Sequence, residues 1–242
     1  MRQPKPIWYL EMGFRHNPFS IKPGVIYDNL IGQQEVVDSV QECISGGNRC
    51  MVVGRYGVGK TTFLKSVISR FAGRRRVIYF ACNRLHGPLN LDRLLYERFG
   101  VLGKMLKIRS RNMILLLDEA EHLTVDDHDA IDEYVRKGYF QSIVYVTHDI
   151  EEIQAEGAQL DDLKRNLFYV TMFNEEEAIS LIRNRLHGKE FLPRSLISEI
   201  YERSENSRKF LKNCEDVCRH AFLNGHKRVT RKDIRESVGV YA

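Results

Sequence analysis

Hydrophobic residues along this chain form five short runs separated by longer amphipathic stretches. The runs occupy 49–53, 77–81, 113–117, 142–147 and 167–170, each of a length typical of a buried strand. The stretches between them are rich in helix-forming residues. The alternation therefore predicts an α/β fold, in which five parallel strands form one sheet with helices on both faces.

The helices between the strands are marked by capping residues. Thr124 precedes an acidic turn and a helical pattern that reaches Gly138. Asn90 is in position to cap a helix through Phe99 that Gly100 closes. These signals place two of the helices that connect the strands.

After residue 171 the strand pattern stops and helical patterns alone follow. Asn174 precedes three glutamates, which favour the positive end of a helix reaching Leu186. Further helices are predicted at 194–203, at 207–224 and, after a Thr230 cap, at 231–238. We therefore predict an N-terminal segment over 1–30, an α/β domain over 31–171 and a small all-helical domain over 172–242.

A glycine-rich loop follows the first predicted strand and precedes a helix. Its eight residues fit the pattern G-x-x-x-x-G-K-[ST]: Gly54, Arg55, Tyr56, Gly57, Val58, Gly59, Lys60 and Thr61. Strand, loop and helix in this order are the context in which this pattern binds the phosphates of a nucleotide. We predict that these residues and the adjacent Thr62 bind ATP or ADP.

The chemistry of the loop explains this residue pattern. The glycines let backbone N–H groups surround phosphate oxygens without clashes from Cβ atoms. The helix that starts near Lys60 directs its positive end at the same charge. Lys60 is expected to reach the β- and γ-phosphates, and the Thr61 hydroxyl is expected to ligate Mg²⁺.

The third strand ends in a run of acidic residues, Asp118-Glu119-Ala120-Glu121. A buried strand that delivers two carboxylates at its end is the Walker B arrangement. Asp118 is then the residue that holds Mg²⁺, and Glu119 is the base that activates the attacking water. A carboxylate in that second position favours a hydrolase over a small-molecule kinase.

The fourth strand ends at Thr147-His148-Asp149. A polar side chain at this point would lie between the two motifs and orient water near the γ-phosphate. Thr147 is the predicted residue. His148 is the alternative, because a shift of one residue exchanges the directions of the two side chains.

Composition and cysteine content restrict the class of protein. The 242 residues are 43% hydrophobic and 29% charged, with a formal net charge of +5, which is compatible with nucleic acid but does not identify a partner. The five cysteines have no disulfide-framework spacing, and no ligand set for a transition metal is evident. Cys50 and Cys82 are predicted in core strands, and Cys214 and Cys218 on one buried helix face. No apolar run approaches the roughly 20 residues of a membrane span, so a cytoplasmic protein is expected.

The pattern of the whole chain resembles the AAA+ ATPases. The likeness is strongest to the initiator branch (origin-recognition and Cdc6-type proteins) and to ExeA- and TniB-like ATPases. The resemblance rests on Gly13-Phe14-Arg15-His16-Asn17-Pro18-Phe19, on Leu30-Ile31-Gly32-Gln33-Gln34-Glu35, and on the D-E-A-E form of the acidic motif. It implies a P-loop NTPase αβα sandwich with a five-stranded parallel sheet and a C-terminal helical lid.

The resemblance also implies roles for residues outside the two motifs. The N-terminal segments frame the adenine in relatives, which makes Tyr27 and Ile31 candidate base contacts. Arg165 corresponds to the arginine finger that reaches a neighbouring subunit's γ-phosphate, with Lys164 as the alternative. Arg208 corresponds to the sensor 2 arginine of the lid, although the glycine and proline of that motif are absent here.

Three functions are compatible with these features. The first is an ATP-driven switch that assembles into oligomers, on DNA bound without sequence specificity, in replication, recombination, transposition or helicase loading. The second is a nucleotide-dependent module with a protein partner in signalling or secretion, and the third is an ADP-bound scaffold.

Initiators of this branch continue into a winged-helix domain, whereas this sequence ends after the lid, so we expect the AAA+ body to make any DNA contact. Basic residues within 74–76, 83–87 and 104–111 form the candidate surfaces, because clustered cations can neutralise phosphates. A solvated loop is the alternative for each. Trp8 is either a docking element or a packing residue.

Overall fold

The structure is a computed structural model that describes residues 7–21, 32–72, 76–85, 87–97, 105, 109–155 and 157–238. These residues form two compact units. The α/β unit comprises described residues of 33–56 and 60–171. The helical unit comprises described residues of 7–32, the three residues 57–59 and those from 172 onward.

The α/β unit contains five strands with helices between them. Its elements are α2 (Gln34–Ser45), β1 (Arg49–Val53), α3 (Lys60–Ala72), β2 (Val77–Ala81), α4 (Leu91–Glu97), β3 (Met113–Asp118), α5 (Val125–Arg136), β4 (Phe140–Thr147), α6 (Gly157–Arg165) and β5 (Leu167–Tyr169). Short 3₁₀ turns follow two strands, at Cys82–Arg84 and Ala120–His122. All five predicted strands are present, with bounds that differ by at most two residues.

The strands form one parallel sheet in the order β2-β3-β4-β1-β5. Every residue of β3 and seven of the eight in β4 are buried. This is expected for central parallel strands, which are covered on both faces. The predicted fold class, a P-loop NTPase-like α/β fold with a five-stranded parallel sheet and C-terminal helices, is confirmed.

Capping residues define the helices of this unit as predicted. Thr124 and Asp127 form a reciprocal capping box at the start of α5. The side chain of Asn90 accepts a hydrogen bond from the Arg93 N–H at 2.8 Å at the start of α4. The predicted end of α4 at Phe99 and Gly100 lies outside the described residues. Cys82 is buried as expected, but in the 3₁₀ turn after β2 rather than in the strand.

The helical unit contains α1 (Trp8–Glu11), α7 (Glu175–Arg185), α8 (Arg194–Glu202), α9 (Ser207–Leu223) and α10 (Arg231–Ser237). The four helices after residue 172 match the predicted segments to within one residue. Cys214 and Cys218 are fully buried on α9, as predicted. Trp8 is also buried in the core of this unit, where its ring stacks on that of Phe19, so it acts as a packing residue.

Candidate functional site

The carboxyl ends of β1, β3 and β4 meet at one edge of the sheet. Val53, the last residue of β1, lies in register with Thr147 at the end of β4. Asp118, the last residue of β3, lies in register with Val146 on the other side of β4. The N–H of Gly54 donates to the Thr147 carbonyl at 3.1 Å. The predicted phosphate loop therefore starts beside the end of β4, and Asp118 lies on the far side of that strand.

The loop backbone has the conformation that its glycines permit. Gly57 and Gly59 have φ angles of +80° and +109°, in the region that side chains disfavour. Helix α3 begins at Lys60, whose Nζ donates to the carbonyls of Gly54 and, at 3.3 Å, Arg55. The lysine side chain therefore folds over the start of its own loop.

Acidic groups act electrostatically on the Lys60 ammonium. Burial lowers the pKa of Lys60, and three carboxylates oppose this shift. In decreasing order of effect, they belong to Glu121, Asp118 and Glu119. The cation of the glycine-rich loop and the acidic run after β3 therefore interact electrostatically, and their joint role at a nucleotide stays a prediction.

Asp118 is buried and held by two hydrogen bonds. Its Oδ1 accepts from the Glu119 N–H at 3.1 Å, and its Oδ2 accepts from the Tyr79 hydroxyl at 2.8 Å. Burial raises the pKa of Tyr79, and the hydrogen bond to Asp118 raises it further. The phenol therefore stays protonated and acts as a donor to the carboxylate.

Glu119 has an unusual backbone conformation. Its φ and ψ angles are 56° and 50°, in the left-handed region that residues other than glycine rarely adopt. Such a conformation costs about 1–3 kcal/mol and persists only where neighbouring contacts hold it. The predicted base is thus the strained residue between β3 and the following 3₁₀ turn.

The two candidates at the end of β4 differ in environment. Thr147 is fully buried, and its hydroxyl donates to the Asp149 carbonyl at 2.8 Å. His148 is exposed, and its Nδ1 lies 2.6 Å from Oε1 of Glu121. Both side chains have local partners, so the assignment of Thr147 as the water-orienting residue stays a prediction.

The two predicted arginines lie on exposed helical positions. Arg165 ends α6, and its Nη1 is 3.8 Å from Oδ1 of Asp162, while Lys164 is also exposed. In the helical unit, Arg208 is the second residue of α9, and its N–H donates to the Gly57 carbonyl at 2.9 Å. Their roles at a γ-phosphate stay predictions. Tyr27 and Ile31 lie outside the described residues.

Mg²⁺ fits the donors at this sheet edge. Asp118 supplies a buried carboxylate, and Thr61 supplies a hydroxyl in the first turn of α3. Within the described ranges, no group of three or more histidine, cysteine or acidic side chains forms a metal cage. Mg²⁺ at nucleotide sites takes one or two protein oxygens and completes its shell with water and phosphate.

Sequence reasoning gave no role to Tyr79 or to Glu121. Tyr79 is on β2, where alternation predicts a side chain on one face of the sheet but not its partner. Glu121 belongs to the acidic motif, yet only the fold brings it into contact with His148 and lets its charge act on Lys60. His148, the ionisable residue directly after β4, was the one sequence signal for its contact with Glu121.

No helix among the described residues is long and apolar enough to cross a bilayer.

The candidate nucleic-acid surface within 104–111 is partly described. Arg109 is paired with Asp92 at 2.8 Å, and both Arg109 and Arg111 lie over the Tyr139 ring. These two arginines are therefore engaged in local packing.

No protein-family model and no curated protein matches this chain. Solved structures of other proteins match it in fold. Drosophila ORC bound to DNA matches with a TM-score of 0.72 and 15% identity, over 99% of this chain and 69% of that one. The Aeropyrum pernix ORC1 protein, solved in complex with DNA, matches with a TM-score of 0.70 and 16% identity, over 92% of this chain and 68% of that one. The Thermotoga maritima RuvB Holliday junction branch migration motor matches with a TM-score of 0.63 and 16% identity, over 87% of this chain and 70% of that one. The likeness is one of fold: the chain has the P-loop NTPase-like α/β fold of these structures.

Proposed function

We propose that this protein binds Mg²⁺–ATP at the carboxyl edge of its sheet, hydrolyses it, and uses the cycle to assemble into oligomers on DNA. One observation carries the proposal. The Gly54 amide of the glycine-rich loop donates to the last residue of β4, and Asp118 ends β3 in register with Val146 of that strand, so the loop that leads to Lys60 and the acidic run lie at the same edge of the sheet. A cation from a glycine-rich loop beside carboxylates at a strand end is the arrangement that phosphoryl transfer to water needs.

Each residue of this edge has a role in the proposed reaction. The loop amides and Lys60 hold the β- and γ-phosphates, and Asp118 with Thr61 holds the cation. When bound, Mg²⁺ neutralises charge that develops on the phosphate oxygens. Glu119 accepts a proton from the attacking water. The Asp118 carboxylate stays oriented through its hydrogen bond from Tyr79.

Steady-state hydrolysis of ATP tests the proposal. Glu119→Gln should retain nucleotide binding and lose about 10²- to 10⁴-fold in kcat, the usual contribution of a general base. Lys60→Ala should lose both binding and turnover. Lys65→Ala, a lysine on the same helix, is the matched control and should resemble the wild type. Equal turnover in the wild type and the Lys60→Ala variant would refute the proposed enzyme activity.

The DNA partner is supported by the fold and by the net charge of +5. Two of the similar structures, Drosophila ORC and A. pernix ORC1, are complexes with DNA. We expect duplexes of unrelated sequence to bind equally well, with an affinity that falls linearly on a log–log plot against salt concentration. Anisotropy titrations of two labelled duplexes at several KCl concentrations, with and without a non-hydrolysable ATP analogue, measure this. Absent or salt-insensitive binding would point instead to a protein partner.

A further inference from the structure

The turn after β3 is joined to the end of β4 by a pair of side chains, Glu121 and His148. Nδ1 of His148 lies 2.6 Å from Oε1 of Glu121, a short distance typical of a charge-assisted hydrogen bond. The other ring nitrogen lies 3.2 Å from the exposed Glu152. The contact with Glu121 therefore links the ends of two strands, whereas the contact with Glu152 links His148 to a residue of its own loop.

Glu121 is more enclosed than an ordinary surface carboxylate. Its side chain is only 9% exposed, and its Oε2 is buried with no hydrogen-bond partner among the residues that the structure describes. Of the three carboxylates that act on Lys60, it has the largest effect. A buried carboxylate that keeps one oxygen unpaired has a cost, and such a cost suggests a role at the site.

The strained residue lies two positions before Glu121. Glu119 adopts its left-handed conformation where β3 leads into the 3₁₀ turn Ala120–His122. That turn is closed by a hydrogen bond of 3.2 Å from the His122 N–H to the Glu119 carbonyl. Ala120, in the same turn, is fully buried. The Glu121–His148 hydrogen bond is a polar contact that joins this turn to the residue directly after β4.

We infer that Glu121 and His148 are positioning residues, whose hydrogen bond holds the turn after β3 so that Glu119 keeps the backbone conformation from which it activates water. The inference rests on the proposed hydrolysis. The bond acts through Glu119, so its loss lowers turnover and leaves nucleotide affinity in place. A misplacement of about 1 Å at a reacting group costs about 10²-fold in rate.

The protonation of the pair is consistent with this role. The hydrogen bond to Glu121 raises the pKa of His148, and Glu152 adds to the effect while burial opposes it. A cationic imidazole beside a carboxylate makes a stronger hydrogen bond than a neutral one.

Steady-state kinetics of four variants test the inference: Glu121→Ala, Glu121→Gln, His148→Ala and the double alanine variant. We expect each single alanine variant to lose about ten- to hundred-fold in kcat, with KM changed less than about threefold. Because both residues act through one bond, the double variant should be no slower than the slower single variant. Glu121→Gln keeps an oxygen that accepts from His148, so it should recover part of kcat.

Glu152→Ala is the matched control, since it removes the other hydrogen bond of His148 without touching the turn, and it should keep the wild-type kcat. Circular dichroism and binding of a fluorescent ATP analogue identify any variant that fails to fold. In that case the exposed His148 variant decides the question. Alanine variants with kcat within about twofold of the wild type, or losses that multiply in the double variant, would overturn the inference. A wild type that is no faster than Lys60→Ala would overturn the proposed function itself, whereas an active wild type with unchanged alanine variants would overturn the inference alone.

Discussion

The hydroxyl of Tyr79 donates a hydrogen bond of 2.8 Å to Oδ2 of Asp118. This hydrogen bond joins β2, at the edge of the sheet, to the carboxylate that ends β3. Tyr79 is 45% exposed, whereas Asp118 is buried. A half-exposed phenol thus supplies a donor to a buried charge, which would otherwise have to be satisfied by water or a cation.

Replacing this donor should destabilise the nucleotide-free protein. Tyr79→Phe leaves Oδ2 of Asp118 without its side-chain partner, and we expect a loss of about 1 kcal/mol in the free energy of unfolding. Urea unfolding measures it. Tyr169→Phe, on the exposed edge strand β5, is the control and should be neutral. The deficit should shrink when Mg²⁺ and ATP are present, because the cation then becomes a charged partner of Asp118. Equal stability of both variants would mean that the bond contributes nothing.

Gly57 is predicted to tolerate no side chain. Its φ is +80°, and a Cβ atom there would lie 2.5 Å from Oδ1 of Asn206. That oxygen caps α9 by accepting from the Lys209 N–H at 2.9 Å. Gly57→Ala should therefore combine the cost of a left-handed alanine, about 1 kcal/mol or more, with damage to a helix cap worth a further ~1 kcal/mol.

Thermal unfolding without nucleotide distinguishes the two costs. Gly59 also has a positive φ, but nothing lies within 4 Å of a Cβ atom at that position. Gly59→Ala carries the backbone cost alone and should unfold at a higher temperature than Gly57→Ala. The reverse order would contradict the clash with Asn206.

Sequence predicted the elements well and the contacts between side chains poorly. The strands could be predicted because central parallel strands are continuous apolar runs, as in Met113–Asp118. The loop Gly54–Thr61 could be predicted because phosphate binding requires its glycines, lysine and threonine at fixed spacing. The bonds Tyr79–Asp118 and Glu121–His148 join residues 39 and 27 positions apart, and no local pattern encodes such distances. The left-handed backbone of Glu119 was also unforeseen, since propensity disfavours it and only the folded surroundings stabilise it.

A buried aspartate should give the helical unit an acid-labile contribution to stability. Burial disfavours the charge of Asp233, but hydrogen bonds from Thr230, His220 and His226 outweigh it and lower the pKa to about 2. Because the pKa is lower in the folded than in the unfolded state, the stabilisation is complete above about pH 4 and is lost as the pH falls towards 2.

Replacing this aspartate tests the assignment. Asp233→Asn should cost about 2 kcal/mol near neutral pH, since it removes the charge that its donors satisfy. It should also flatten the decline in stability between about pH 4 and 2. Urea unfolding across this range measures both effects. Asp216→Asn, which breaks a partly exposed pair with Arg219 on α9, is the control and should change little. A wild-type curve without an acid decline would contradict the lowered pKa.

Arg165 should be needed for turnover but not for folding. Its side chain is 75% exposed, and its only ion pair among the described residues, with Asp162, is long at 3.8 Å, so it contributes little to stability. If Arg165 acts on a neighbouring subunit, Arg165→Ala should lose about a thousandfold in kcat with an unchanged free energy of unfolding, whereas Lys164→Ala should stay active.

The decisive measurement is the ATPase activity of a mixture of two inactive variants, Arg165→Ala and Glu119→Gln. Arg165→Ala keeps an intact nucleotide site and Glu119→Gln keeps an intact arginine, so an oligomer of both variants contains interfaces with one complete site. The mixture should then hydrolyse ATP faster than the sum of its parts. A purely additive mixture, or a loss in Lys164→Ala instead, would assign the arginine no role across the interface.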